Sequence, residues 1–193
     1  MSLLLFAPGA GAPSSSPWMT AWAERLGQVG RVVRFDYAYQ RAGNKRPDRL
    51  PALVDAHRAA LEATRRDGEP AVLVGKSMGG RVGCHLSLTE PVAGLVCLGY
   101  PLVGQGAARP LRDEVLLALT TPVLFVQGTR DALAPLALLE QTIARMRAPA
   151  ELLIVEGGDH SLEIRRRDGP QADADRRVLE AIRAFVARVA AEI

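Results

Sequence analysis

The chain has 193 residues, of which 48 % are apolar and 23 % charged, a balance that excludes a disordered polymer and suits one domain with a sizeable core. With 24 Lys and Arg against 21 Asp and Glu, the formal charge of +3 is too small to argue for a nucleic-acid partner. The longest apolar runs, residues 3–7 and 123–126, are far shorter than the roughly 18–20 residues a membrane span needs, so no membrane partner is expected.

In chain order, short apolar runs alternate with helical patterns. The first run, residues 3–6, has no basic segment before it and reads as a strand, not a signal peptide. Trp18, Trp22 and Leu26 then repeat at helical spacing after the capping-type cluster Ser14-Ser15-Ser16. A second strand is predicted over 31–35, followed by a polar, exposed loop over 40–49. Leu53, Ala56, Ala60 and Leu61 mark a helix between Pro51 and Gly68. Strands are predicted over 71–74, 94–98, 123–127 and 151–155, with a helix over 81–88 between the first two. Leu136, Leu139 and Ile143 mark a further helix, residues 165–173 an exposed loop, and Val178, Ile182, Phe185 and Val189 a long closing helix. Most of these strands are continuously apolar, as parallel strands are when helices cover both faces. The pattern predicts one α/β domain over residues 1–193, doubly wound, with about six mostly parallel strands. Two cysteines, Cys84 and Cys97, cannot make a disulfide framework and suggest a reducing, cytoplasmic setting.

Gly75-Lys76-Ser77-Met78-Gly79 fits the pattern G-x-S-x-G, and its setting carries more weight than the match. A strand runs directly into it and a helix directly out. A serine at that junction sits on a sharp turn with its hydroxyl raised above the sheet. Gly75 and Gly79 are the positions where a side chain would collide as strand and helix cross, and Gly80 and Gly83 extend the small face. Gly75-Lys76-Ser77 also resembles the end of a phosphate-binding P-loop. That reading fails because the required first glycine falls at Pro70 and the intervening residues form a strand.

A serine hydroxyl needs a base, usually a histidine held by a carboxylate. His57 shares an apolar helix face and His85 lies well inside the helix after Ser77, so both read as structural. His160 follows the last strand in the loop Gly157-Gly158-Asp159-His160, at the sheet edge that presents Ser77. Asp131, in Gly128-Thr129-Arg130-Asp131 after the fifth strand, is the predicted orienting acid. The order Ser77, Asp131, His160, with spacings of 54 and 29 residues, is the nucleophile–acid–base order of α/β hydrolases. Asp36 is the rival acid, and Asp159 reads as a residue that shapes its loop. For the oxyanion, the amide of Met78 supplies one donor and the loop Pro8-Gly9-Ala10-Gly11 the other. Pro8 has no N–H, so Ala10 is the predicted donor, with Gly11 second. That loop is no dinucleotide fingerprint, because the third glycine would fall at Ser14. Lys76, Arg130 and the basic loop around Arg46 read as solvated surface charge, with a bias towards anionic substrates as the alternative. The scattered histidines and the absence of C-x-x-C or H-E-x-x-H predict neither metal nor other cofactor.

These residues resemble the α/β-hydrolase family. More narrowly, they resemble its dienelactone-hydrolase-like group, which includes testis-expressed protein thirty and the third subunit of the NSL chromatin complex. The matching stretches are residues 7–11, 34–37, 46–47, 75–80, 98–102, 111–112, 125–131 and 157–160, in the group's order. One departure follows Tyr100-Pro101-Leu102, where the group commonly has a histidine and prolines and this chain has Val103-Gly104-Gln105-Gly106. The resemblance implies an α/β-hydrolase fold, and a length of 193 residues leaves no room for a large cap domain. The residues predict a serine hydrolase cleaving a small-molecule carboxylic ester or thioester. The alternative is a non-catalytic interaction module, as in the chromatin relative.

Overall fold

The computed structural model describes residues 1–104 and 110–192. One sheet holds β1 (Leu3–Ala7), β2 (Arg31–Arg34), β3 (Ala71–Lys76), β4 (Gly94–Leu98), β5 (Val123–Gly128) and β6 (Ala150–Val155). Its order is β2-β1-β3-β4-β5-β6, and every pairing is parallel. The six strands fall within two residues of the predicted runs. β1, β4 and β5 bury every residue, as their mostly apolar sequences require, while β2 and β6 at the edges are partly open.

Alternate strand residues point to opposite layers. Leu4, Phe6, Val72, Val74, Val96 and Val126 pack against α1 (Pro17–Leu26) and α7 (Gln171–Ala191) through Trp22, Leu26, Ile182 and Phe185. Leu3, Leu5, Leu73, Leu95 and Phe125 face the other layer. There α3 (Leu50–Thr64), α4 (Met78–Leu86), α5 (Glu114–Ala118) and α6 (Leu136–Ile143) contribute Leu61, Leu86, Leu116 and Leu139. No inserted lid large enough to act as a cap occurs among the described residues.

The differences from the sequence reading lie outside the strands. α2 (Ala38–Arg41) and α5 span one turn or little more, too short to show a period. α4 begins at Met78, three residues earlier than predicted, because its first turn packs through glycines that show no apolar stripe. α7 begins at Gln171, inside the predicted loop. The Gln171 side chain accepts from Ile164 N–H (2.9 Å) and donates to Asp175 (2.8 Å), closing that end. Ser16 is the residue before α1, but its side chain makes no capping bond. In the departure after Leu102, Val103 pairs with Leu111 in an isolated antiparallel bridge. Gln105 and Gly106 lie outside the described residues.

Chain order reverses between β1 and β3, which leave in opposite directions along the sheet. That switch point leaves a crevice beyond the carboxyl ends of the two strands. The loop after β1 and the turn after β3 both open there.

Candidate active site

Ser77 joins β3 to α4 with φ 48° and ψ −113°. A non-glycine residue rarely adopts such a conformation, at a cost of about 1–3 kcal/mol, and persists there only when its surroundings enforce it. The enforcement is visible. Ser77 N–H donates to Leu98 O on β4 (3.0 Å). A Cβ on Gly75 would lie 2.1 Å from the Gly80 nitrogen, and one on Gly79 would lie 2.5 Å from the Ala7 carbonyl oxygen. Gly75 therefore permits the strand–helix crossing, and Gly79 lets α4 pass the end of β1. The tight approach ends early, since a Cβ on Gly83 would meet Leu73 at an ordinary 3.5 Å.

His160 Nε2 lies 2.8 Å from Ser77 Oγ, and His160 Nδ1 lies 2.7 Å from Asp131 Oδ2. The three residues leave β3, β6 and β5. Two glycines bring the β5 and β6 loops together: a Cβ on Gly128 would sit 2.2 Å from Gly158 O, and Arg130 N–H donates to that oxygen (2.8 Å). The Asp131 side chain is fully buried, while 29 % of the His160 side chain remains exposed. Asp131 also accepts Gln127 Nε2 (2.6 Å) and Leu133 N–H (2.8 Å). Burial pushes its carboxyl up, but His160 and these two donors together hold it below the usual carboxylate range. An ionised Asp131 only accepts, so Nδ1 donates to it and Nε2 is left to accept the Ser77 hydroxyl proton.

The other sequence candidates lie apart from this chain of bonds. Asp36 accepts Ser14 N–H (2.6 Å) and fixes the segment before α1. Asp159 accepts from Ser161 and Glu163 N–H (2.8 and 3.1 Å), shaping its own loop. His57 is buried between Phe35 and Tyr37, and burial pulls its pKa down to about 3. His85 sits two turns along α4, where burial and Arg81 disfavour its charge. Lys76 departs from the solvated-charge reading. It donates to the His160 carbonyl and stacks on Trp18 with Nζ 5.2 Å from the ring centroid. Burial lowers its pKa to about 8 against the attraction of Asp131, Asp159 and Glu163.

Ser77 opens on a cavity of about 320 Å³ walled by Trp18, Met19, Leu133 and residues 9–12. Both Ala10 and Gly11 line it. Tyr39 Oη donates to Ala10 O (3.0 Å), and Gln40 Nε2 donates to Gly9 O and Ala12 O (3.0 and 2.9 Å). α2 thus takes up the loop's carbonyls. Met78 N–H is among the first amides of α4, which have no intrahelical acceptor and carry the positive end of the helix dipole. The sequence reading missed Tyr39, Gln40 and Gln127. Gln127 had a signal: it is a lone polar residue closing a buried apolar run. No group of three or more His, Cys, Asp and Glu side chains suited to a metal ion occurs among the described residues.

An open parallel sheet with a serine on a strained strand–helix turn, linked through histidine to a buried aspartate, defines the α/β-hydrolase class of protein. The chain belongs to that family: the family described as "Alpha/beta hydrolase domain" matches residues 1–188. Solved structures share the fold at low identity. An alpha-beta serine hydrolase homologue from Coxiella burnetii is 19 % identical with a TM-score of 0.74, covering 95 % of this chain and 84 % of its own. Est1E from Butyrivibrio proteoclasticus, with ferulic acid bound, is 17 % identical with a TM-score of 0.73, covering 99 % and 90 %. A dienelactone hydrolase from Anabaena variabilis is 21 % identical with a TM-score of 0.70, covering 93 % and 84 %. No helix among the described residues is long and apolar enough to cross a membrane.

Proposed function

We propose that this chain is a one-domain serine hydrolase that cleaves a carboxylic ester or thioester through an acyl-enzyme. The observation that carries the reading is the unbroken chain Ser77–His160–Asp131, at 2.8 and 2.7 Å. His160 takes the Ser77 proton as Oγ attacks the carbonyl carbon, and returns it to the leaving alcohol or thiol. Water then attacks the acyl-enzyme, giving its proton to the same nitrogen, which passes it to Ser77 Oγ as the Oγ–acyl bond breaks and the acid is released. Asp131 holds the ring and stabilises the imidazolium. The amides of Met78 and Ala10 receive the oxyanion, with Gly11 the second choice for the latter. The dienelactone hydrolase among the structural neighbours supports placing the chain in the dienelactone-hydrolase-like group. Buried free thiols at Cys84 and Cys97 support a reducing, cytoplasmic setting.

A cavity of about 320 Å³ walled by Trp18, Met19 and Leu133 fits a small apolar or aromatic acyl group. Est1E, whose structure holds ferulic acid, supports an acyl group of that kind. The test is covalent labelling with a small fluorophosphonate, read by peptide mass spectrometry. Wild-type protein should be modified at Ser77 and Ser77→Ala should not. Folded wild-type protein that stays unlabelled, under conditions that label a known serine hydrolase, would leave the interaction module as the reading.

A further inference from the structure

The loop that carries His160 has to keep its imidazole aimed at Ser77 although almost a third of that side chain is exposed. Two donors from outside the loop grip its backbone at successive carbonyls. Lys76 Nζ, from the end of β3, donates to His160 O, and Trp18 Nε1, from α1, donates to Ser161 O (2.9 Å). The donors also hold each other, with the Lys76 ammonium 5.2 Å from the centre of the Trp18 ring. Gly99 makes room beneath them. Its φ is 68°, and a Cβ there would lie 2.6 Å from His160 O and 3.4 Å from Lys76 Nζ. On the far side, Leu162 is buried in the core with φ 63°, anchoring the next turn of the loop.

We propose that Lys76 and Trp18 are positioning residues, a two-point clasp that holds the His160 loop and keeps the imidazole registered on Ser77. The inference rests on the serine-hydrolase reading above, and it gives the variable residue of the G-x-S-x-G turn a task. The lysine beside the nucleophile fastens the base that the nucleophile needs. Lys76 is largely desolvated: burial lowers its pKa to about 8 against the attraction of Asp131, Asp159 and Glu163, and the residue also lines the cavity onto which Ser77 opens. Kinetics separate the clasp from a role in binding an anionic substrate. A binding role would alter KM for charged esters alone, whereas the clasp alters turnover of a neutral one.

The experiment uses the full chain and the neutral ester p-nitrophenyl acetate. Lys76→Met keeps the apolar stem against Trp18 and removes the donor and the charge. It should lower kcat roughly 10²-fold, the effect of a misplacement of about 1 Å, while KM changes less than about twofold. Trp18→Phe keeps an aromatic face but removes the indole N–H together with the five-membered ring, and should lower kcat about tenfold, the worth of the lost hydrogen bond. Proton NMR gives a readout independent of turnover. The His160 Nδ1 proton, shielded by Asp131 in the wild type, should exchange faster with water in both variants. Unchanged kcat together with unchanged exchange in both would overturn the clasp. Failure of the wild type to turn over the ester or react with the fluorophosphonate would overturn the hydrolase reading instead, and the exchange comparison would still test the clasp.

Discussion

Ser77 and His160 share one proton-transfer step, so their removal should not add. Ser77→Ala and His160→Ala should each lower ester hydrolysis by several orders of magnitude, and the double variant should be little worse. Losses that multiply would separate the two residues. Asp131→Asn should lower turnover roughly 10⁴-fold, as loss of the orienting carboxylate does in the serine-protease template. Asp36→Asn should leave turnover within a few-fold, because that carboxylate accepts the Ser14 N–H before α1, apart from the Ser77–His160–Asp131 chain. Steady-state kinetics on one short ester checks both, and the reverse ranking would exchange the two aspartates. These residues were legible in the sequence because each stands at a strand end, in an order the chemistry recognises. Lys76 was not, since nothing in G-K-S-M-G tells a solvated ammonium from one folded back onto a carbonyl 84 residues away.

The turn between β3 and α4 is where two backbones leave no space for a side chain. Gly79→Val would place a branched Cβ 2.5 Å from the Ala7 carbonyl, and it should lower stability by at least about 1–3 kcal/mol and abolish fluorophosphonate labelling. Gly83→Ala, one turn further on, meets only ordinary contact. It should be neutral or raise stability by about 0.5–1 kcal/mol, the usual gain over glycine inside a helix. Thermal melts of the two variants check the contrast. Equal effects would mean that α4 approaches the sheet evenly along its length. The sequence marks Gly75 and Gly79 as the crossing and adds Gly80 and Gly83 to the small face, without showing how far along α4 the tight approach runs. Only the path of β1 beneath α4 separates the obligatory one from the optional one.

Across the whole molecule, acid should unfold the protein earlier than its surface charges require. The unfolded chain protonates a histidine near 6.5, whereas buried His57 stays neutral down to about 3. The folded state therefore binds fewer protons, and stability is lost as pH falls from 6.5 towards 3. At pH 5 the loss is about 2 kcal/mol relative to pH 7. His57→Phe keeps a ring against Phe35 and Tyr37 and removes the titration. Urea melts at pH 7 and pH 5 should show the wild type losing about 2 kcal/mol more than the variant. Parallel losses would mean that His57 takes up its proton without unfolding. Lys76 acts in the same sense over a higher window: burial holds its folded pKa near 8, below the ordinary 10.5, so stability rises with pH between those values.

The six strands, their parallel pairing and the serine–acid–base order were written in local pattern. Buried strands must be apolar along their length, and a tight strand–helix turn must carry glycine, so both leave marks that neighbours in sequence reveal. The grip of Tyr39 and Gln40 on the loop after β1, of Gln127 on Asp131, and of Lys76 and Trp18 on the His160 loop left no such mark. Each is a polar side chain meeting a partner brought near by the sheet, as Trp18 meets Ser161 across 143 residues. Hydrogen bonding depends on where a donor points once the strands have assembled, and that direction comes from packing, not from the spacing of residues along the chain.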